Sequence, residues 1–514
     1  MIDAVDWLER RAKLSPYKLA LIDTLSGREL TYKEWNVQVN KTARFLQSAL
    51  DIKKGDRITL LASNSVEYLD VLFACNKLGA VLQNMNWKLA VPEIEMLIKD
   101  MKPKGLIYSE EFFDAVYKLQ LRDDLPSMEA FIAIGKKTRE KDIHFSERES
   151  FRDSAPDKPE VNIKDPWVIC YTGGTTGLPK GAILSLENIT WNAINTTMSW
   201  GIGQDDVAIL NAPLFHTGAL NVFTTPLVYA GGTSIVCKTF DVDQVFDLIS
   251  SGLVSVFFGV PTMFSMMQHH SRWESADFSQ IKFIISGGAP CPMPVFEKFW
   301  EKEVDFKTGY GLTEAGPNTF WLPAEDVQKK PGAVGYPLMQ VELMLADISG
   351  IEITEAGIAG ELLIKGPHRT PGYWNNPEAT EEAIDEDGWL HTGDLAEFDE
   401  DGCYYVVGRA KDMYITGGEN VYPAEVESVL YGHDDIAEVA VFGVPDRKWG
   451  EVGIAVLAIH SDAEIGRKEL VEYLKERIAR YKIPRYFEFI DELPKTGAGK
   501  INKKVLKEKF GKLE

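Results

Sequence analysis

Cysteine is scarce and scattered in this chain. Cys75, Cys170, Cys237, Cys291 and Cys403 are odd in number, and no two form a Cys-x-x-Cys pair. That excludes a disulfide framework, argues against a thiolate metal site, and makes free thiols in a reducing cytoplasm the expectation. Positive charge is also in deficit: 55 Lys and Arg face 77 Asp and Glu, a net charge of −22, which argues against nucleic acid as a partner. Charge of either sign is missing from residues 207–237. That stretch is no membrane span, because Asn211, Pro213, His216, Thr217, Gly218, Asn221, Pro226 and the Gly231-Gly232 pair interrupt it. It reads as buried core lining a pocket. The chain opens on an amphipathic helix pattern rather than a basic leader with an apolar run, so a cytoplasmic location is expected. Internal repeats and low-complexity segments are absent as well.

What is present is the composition of a soluble globular protein, with 45% hydrophobic and 26% charged residues over 514 positions. That length exceeds what one core supports, so at least two domains are expected. The first 160 residues alternate helix and strand patterns. Thr31-Tyr-Lys-Glu34 is a capping box opening a helix to about Leu50, residues 56–62 read as a strand, and residues 65–77 as a helix. A second α/β stretch covers residues 161–311. Residues 335–407 hold short β-like runs and turn residues, which suggests a barrel-like subdomain. After Gly408-Arg-Ala-Lys-Asp412 the pattern restarts with a helix at 423–431 and a strand at 437–443. The expected fold is α/β: a large domain, 1–410, of α/β subdomains plus a β-barrel-like subdomain, then a small mobile α+β domain, 411–514. Residues 471–514 carry 12 Lys and Arg against 7 Asp and Glu, suiting a small domain that closes over a polyphosphate. Most lysines of the terminal helix read as a solvated face.

The most informative segment is Tyr171-Thr-Gly-Gly-Thr-Thr-Gly-Leu-Pro-Lys180-Gly181, which follows the apolar run Trp167-Val-Ile-Cys. Glycines let backbone N–H groups approach an anion closely, and threonine hydroxyls add donors, so a loop of this composition after a strand suits phosphate. It is not a Walker A loop, because no Gly-Lys-Ser/Thr follows at the required spacing. The pattern resembles the signature of the adenylate-forming enzymes: acyl-CoA synthetases, peptide-synthetase adenylation domains and beetle luciferases. Six further blocks follow in that family's order: Ser286-Gly-Gly-Ala-Pro290, Thr308-Gly-Tyr-Gly-Leu-Thr-Glu314, Gly388-Trp-Leu-His-Thr-Gly-Asp394, Gly408-Arg-Ala-Lys-Asp412, Gly417-Gly-Glu-Asn-Val-Tyr-Pro423 and Pro494-Lys-Thr-Gly-Ala-Gly-Lys500.

Activating a carboxylate with ATP brings two anions together, so positioned positive charge has to offset their repulsion. The resemblance implies that Thr172, Gly173, Gly174, Thr175, Thr176 and Gly177 cradle the β- and γ-phosphates. Lys180 sits near that loop or is simply solvated. Glu314 is the candidate Mg²⁺ ligand, with Thr172 reaching the same metal and Thr313 bonding the α-phosphate; a helix-start carboxylate is the ordinary alternative. Tyr310 and Gly311 belong to the same block, with the Tyr310 ring offered to adenine. Gly288, Ala289 and Pro290 leave a flat backbone edge for the base. Asp394 suits the ribose hydroxyls, with Arg409 beside it. Lys500, on a Gly/Thr/Pro loop, is implied to bridge the acyl carboxylate and the α-phosphate. His216 is either a core histidine or, as the resemblance implies, a residue positioned beside the acyl pocket. Lys411 is implied as the hinge about which the small domain swings, bringing Gly417 and Gly418 to the site for the thiol.

The expected activity is therefore an ATP-dependent acyl-CoA synthetase that forms acyl-AMP and pyrophosphate, then acyl-CoA and AMP. Mg²⁺ and coenzyme A are the implied companions, and a homodimer is left open. The acyl pocket is expected from residues 214–225, 256–261 and 286–290, which are apolar and without an acid. No acidic residue lies near His216 to meet an α-ammonium, which disfavours amino acids. Fatty acids come first, since the whole chain is similar to bacterial fatty-acid–CoA ligases; aryl acids such as coumarate or benzoate come second. A ligase loading a carrier protein and a luciferase-like oxygenase are the rival readings. Consumption of free CoA discriminates the first rival, and nothing favours a luciferin site.

Overall fold

The computed structural model describes residues 4–122, 124–125, 128–173, 179–460, 465–495 and 500–511. Two seven-stranded sheets form the body of the large domain. One runs, in spatial order, through Phe306–Thr308, Phe283–Ser286, Val256–Gly259, Val207–Leu210, Thr233–Val236, Leu19–Asp23 and Glu29–Thr31. The other runs through Ile143–His144, Ala130–Ile134, Gly105–Ser109, Arg57–Leu61, Val81–Asn84, Pro166–Thr172 and Lys180–Ser185. Each is parallel except for its last strand, which pairs antiparallel. Short apolar strands such as Phe283–Ser286 are buried throughout, as parallel strands covered on both faces must be.

The helix Tyr32–Leu50 starts where its capping box predicts, with the Thr31 and Glu34 side chains satisfying each other's backbone. The helix Val66–Leu78 is buried at every residue except Glu67, so it is wrapped by protein on all sides. Its two charged buried residues both have partners. Asp70 accepts from the Arg148 guanidinium at 2.6 Å and from Trp35 Nε1 at 2.9 Å, and Lys77 meets Asp6 at 2.8 Å. The uncharged stretch 207–237 resolves into the strand Val207–Leu210, a helical run whose centre, Leu220–Thr224, is π-helical, and the strand Thr233–Val236. Among the described residues no helix is long and apolar enough to cross a membrane.

The β-rich stretch is an antiparallel meander of Glu342–Ala346, Gly360–Lys365, Leu390–Phe398 and Tyr404–Arg409. A single bridge, Gly335 to Tyr404, ties it to the short pair Phe320–Trp321 and Tyr336–Pro337. The small C-terminal domain has its own five-stranded sheet, built on the long hairpin Ile436–Asp446 and Gly450–Ile459. The helices Pro423–Tyr431, Arg467–Lys475 and Lys503–Phe510 pack with it. Pro423–Tyr431 also contacts Tyr404–Arg409 and the helix Met293–Trp300 of the large domain.

Candidate active site

The motifs converge because of strand direction. Four adjacent parallel strands of the first sheet end on the same side, and each hands its chain to one part of the site. Val207–Leu210 leads to Asn211 and His216, Val256–Gly259 to Val260 and Pro261, Phe283–Ser286 to the Gly287–Pro290 turn, and Phe306–Thr308 to Tyr310, Thr313 and Glu314. From the second sheet, Pro166–Thr172 delivers Thr172 at its carboxyl end.

Glu314 ties the two sheets together. Its Oε1 accepts from the Thr172 hydroxyl at 3.2 Å and from the Tyr373 hydroxyl at 3.0 Å, and its backbone carbonyl accepts from Thr370 N–H at 2.6 Å. The residue is almost wholly buried. One buried carboxylate with a neighbouring hydroxyl is a hard-oxygen donor set that suits Mg²⁺, which completes its shell with water and substrate phosphate. Among the described residues no three His, Cys, Asp or Glu gather into a protein-only metal cage. Gly173 is exposed beside Thr172. Gly174, Thr175, Thr176 and Gly177 lie outside the described residues. Lys180 lies 5.3 Å above the Tyr373 ring and 3.8 Å from Glu382.

Asp394 is fixed from both sides. Tyr310 donates its hydroxyl to Oδ2 at 2.6 Å, and Arg409 Nε donates to Oδ1 at 2.8 Å from the directly opposite position on the next strand. Burial and the adjoining Asp394 charge push the Tyr310 hydroxyl well above its ordinary value, so it stays a donor. The carboxylate keeps further lone pairs with which to accept ribose hydroxyls. Its turn is also braced: Glu361 accepts from Gly393 N–H and pairs with His391, both at 3.1 Å. Gly311 belongs to the same block for a steric reason, since a methyl group there would lie 2.4 Å from the Pro317 carbonyl. Gly288 turns at a φ of +80°, and Ala289 and Pro290 follow it on an accessible edge.

Lys500 reaches this site from the small domain. Its Cε lies 3.9 Å from where a methyl group on Gly288 would stand, and its charge is felt at His216. The residue is open to solvent on one side. Even so, protein crowding around the ammonium, and then the Arg409 charge, hold its pKa below the ordinary lysine value, with Asp394 opposing. His216 is pushed down to about 4, first by burial and then by the positive Lys500 and Lys88, so its ring is neutral. Its Nε2 is buried without a hydrogen-bond partner. Gly417 and Gly418, both at positive φ, form the two-residue turn of the Tyr414–Thr416 and Glu419–Val421 hairpin. Gly417 packs against Trp449 of its own domain. Lys411 lies in the turn that follows Arg409 and precedes Met413.

Three residues of the site escaped the sequence reading. Tyr373 holds Glu314, Glu361 holds the Asp394 turn, and Asn64 grips residues 210–214 through Ala212 C=O (2.8 Å) and Leu214 N–H (2.8 Å). All three act across long sequence distances that no spacing rule connects. Their only local signal is an Asn, Glu or Tyr beside a turn.

A doubly anchored aspartate, a buried carboxylate beside a hydroxyl and a lysine brought in from the small domain are the features expected of the adenylate-forming class of enzymes. The chain belongs to the AMP-binding enzyme family, which matches residues 8–374, while the C-terminal domain of AMP-binding enzymes matches residues 425–500. It is similar to a feruloyl-CoA synthase of Amycolatopsis sp (39% identical, covering 98% of each chain). It is also similar to a long-chain-fatty-acid–CoA ligase of Mycobacterium tuberculosis (35% identical, 98% of each). Among solved structures, an anthranilate CoA ligase in complex with anthranoyl-AMP superposes with a TM-score of 0.91 at 27% identity, covering 99% of this chain and 97% of that one. As a member of this family the chain is an AMP-forming acid–thiol ligase of the acyl-CoA synthetase kind.

Proposed function

We propose that this enzyme joins an aryl carboxylic acid to coenzyme A at the expense of ATP, through an acyl-adenylate, and that its C-terminal domain carries Lys500 in and out of the site between the two half-reactions. The observation that carries the reading is the position of Lys500, beside Gly288, within the fields of Asp394 and Arg409 and with its own charge felt at His216. The first half-reaction needs a cation there. With ATP held by Asp394 and Arg409 at the ribose and by Thr172 and Gly173 at the phosphates, the Lys500 ammonium lies where the acid carboxylate attacks the α-phosphate. It offsets the repulsion and meets the charge that develops in the transition state. Thr313 donates to the α-phosphate, and Lys180 supports the phosphate loop. Neutral His216 adds no charge and shapes the acid's approach. Glu314 and Thr172 would hold Mg²⁺, whose chemistry is to neutralise phosphate charge and orient the leaving pyrophosphate. Pyrophosphate leaves from the phosphate loop.

The second half-reaction needs an open path to the acyl carbonyl. We place the domain boundary at 410/411 and the pivot at Lys411. Rotation there withdraws Lys500 and brings the Gly417–Gly418 turn forward, where the lack of side chains suits passage of a pantetheine arm. A cytoplasmic location accords with five unpaired thiols, and a homodimer is left to a solution measurement.

An aryl acid is favoured over the aliphatic acid that the sequence put first. The feruloyl-CoA synthase resemblance is end to end, and aromatic rings crowd the segment beside His216: Phe215 meets Trp87 edge-on, and Trp87 stacks on Phe112. A fatty acid is the second reading, supported by the equally long match to a fatty-acid–CoA ligase. Pyrophosphate release across a panel of aryl and aliphatic acids, with and without CoA, tests both. Aryl acids with the higher kcat/KM and a CoA-dependent thioester are the expected result. Exclusive turnover of alkanoates would reverse the substrate choice.

A further inference from the structure

Asn211 stands just past the strand Val207–Leu210, on the segment that Asn64 grips. Its side chain is buried, and neither its Oδ1 nor its Nδ2 has a hydrogen-bond partner. A buried primary amide with both ends unmet is costly, and a native core keeps such groups rarely. It faces a cavity about one water molecule in size, lined by Leu210, Ala212, Ala219, Phe223 and Phe258. Phe258, which lines this cavity, also packs against two glycine positions near the site. Methyl groups on Gly218 and Gly287 would lie 3.4 and 3.1 Å from the Phe258 ring, and a methyl group on the next glycine, Gly288, would lie 3.9 Å from Lys500 Cε. Lys500 is thus linked to Asn211 by a chain of neighbours, Gly288, Gly287 and Phe258.

We propose that Asn211 is a specificity-determining residue that recognises a hydroxyl or alkoxy substituent on the far end of an aryl acid, with the Phe258 ring yielding as the substrate ring enters. The proposal rests on the aryl-acid reading given above and narrows it to oxygenated rings. The chemistry matches. A phenol both donates and accepts, so it can give its proton to Oδ1 and accept from Nδ2, and a vicinal alkoxy oxygen offers a second acceptor. An alkyl chain or an unsubstituted ring reaching the same place would leave the amide as unmet as it is now. A site built to bond a substrate hydroxyl rejects the analogue lacking it far more strongly than an apolar pocket rejects one methylene.

The test compares ferulate with cinnamate, the same skeleton without ring oxygens, by kcat/KM in the parent enzyme, Asn211→Leu and Asn211→Ser. Thermal melting reports folding alongside. The parent should prefer ferulate by at least about tenfold, and Asn211→Leu should erase that preference by losing ferulate activity while keeping or gaining cinnamate activity. Asn211→Ser retains one donor and acceptor and should fall between; it also keeps the test decisive if the leucine variant does not fold. Equal losses on both acids would make Asn211 structural, and unchanged ratios would make it the holder of a buried water only; either overturns the proposal. If aryl acids are turned over but indifferent to Asn211, this inference fails and the aryl reading stands. If no aryl acid is turned over while alkanoates are, the aryl reading fails and takes this inference with it.

Discussion

At the scale of the residue, the site is a set of charges whose protonation is arranged by neighbours. Lys500→Ala should slow acyl-AMP formation by about 10²–10³ or more, the loss expected from removing one preorganised donor, with a formal charge lost besides. Thioester formation from supplied acyl-AMP should survive far better, and an equal loss in both steps would refute the role given to Lys500. The ammonium is the working form, present below its pKa and lost as pH rises through it. Because that pKa lies below the ordinary 10.5, the alkaline limb of the first half-reaction should fall earlier than for a free lysine. His216, at about 4, should contribute no limb between pH 5.5 and 8. Glu314→Gln should raise the Mg²⁺ concentration needed for half-maximal rate. Tyr373→Phe should do so more mildly, since it removes one donor and leaves the carboxylate. An unmoved Mg²⁺ dependence in both would leave Glu314 a structural residue.

At the scale of the element, the position of the site follows from strand direction, and this is where the sequence is most and least readable. The helix Tyr32–Leu50 was legible because a capping box is a local device whose two halves lie three residues apart. The Asp394 turn was legible because a Thr-Gly-Asp sequence is a local turn signal. The grip of Asn64 on residues 210–214 was not, since an asparagine bonded to backbone about 150 positions away leaves no periodicity. Nor was the bond from Tyr373 to Glu314, which depends on the meander lying against the second sheet. Asn64→Ala leaves the Leu214 N–H and the Ala212 carbonyl unmet in a buried loop, so stability should fall by about 1–3 kcal/mol in denaturant titration. KM for the acid should rise as well, because the loosened segment carries His216. A stability loss with an unchanged KM would confine Asn64 to the core.

At the scale of the whole molecule, two half-reactions ask for different surroundings at one carbonyl carbon, and the proposed mechanism assigns that difference to movement of the small domain. The structure holds it with Lys500 at the site and with helix Pro423–Tyr431 resting on Tyr404–Arg409 and Met293–Trp300. The link between the domains is short. Strand Tyr404–Arg409 ends on Arg409, which is bonded to Asp394, and the chain re-enters regular structure at Tyr414. Large φ/ψ changes between those points have to fall on residues 410–413. Proline fixes φ near −65°, removes a donor and restricts the residue before it, so Lys411→Pro should arrest that rotation while leaving both cores intact. With the domain held as seen here, the variant should release a burst of pyrophosphate in a single turnover and accumulate bound acyl-AMP, yet make little acyl-CoA. Lys411→Ala, which keeps backbone freedom, should pass both steps and separates the backbone effect from loss of the side chain. If Lys411→Pro forms thioester at the parent rate, the pivot lies elsewhere in the chain, and the withdrawal of Lys500 must be achieved without rotation at this link.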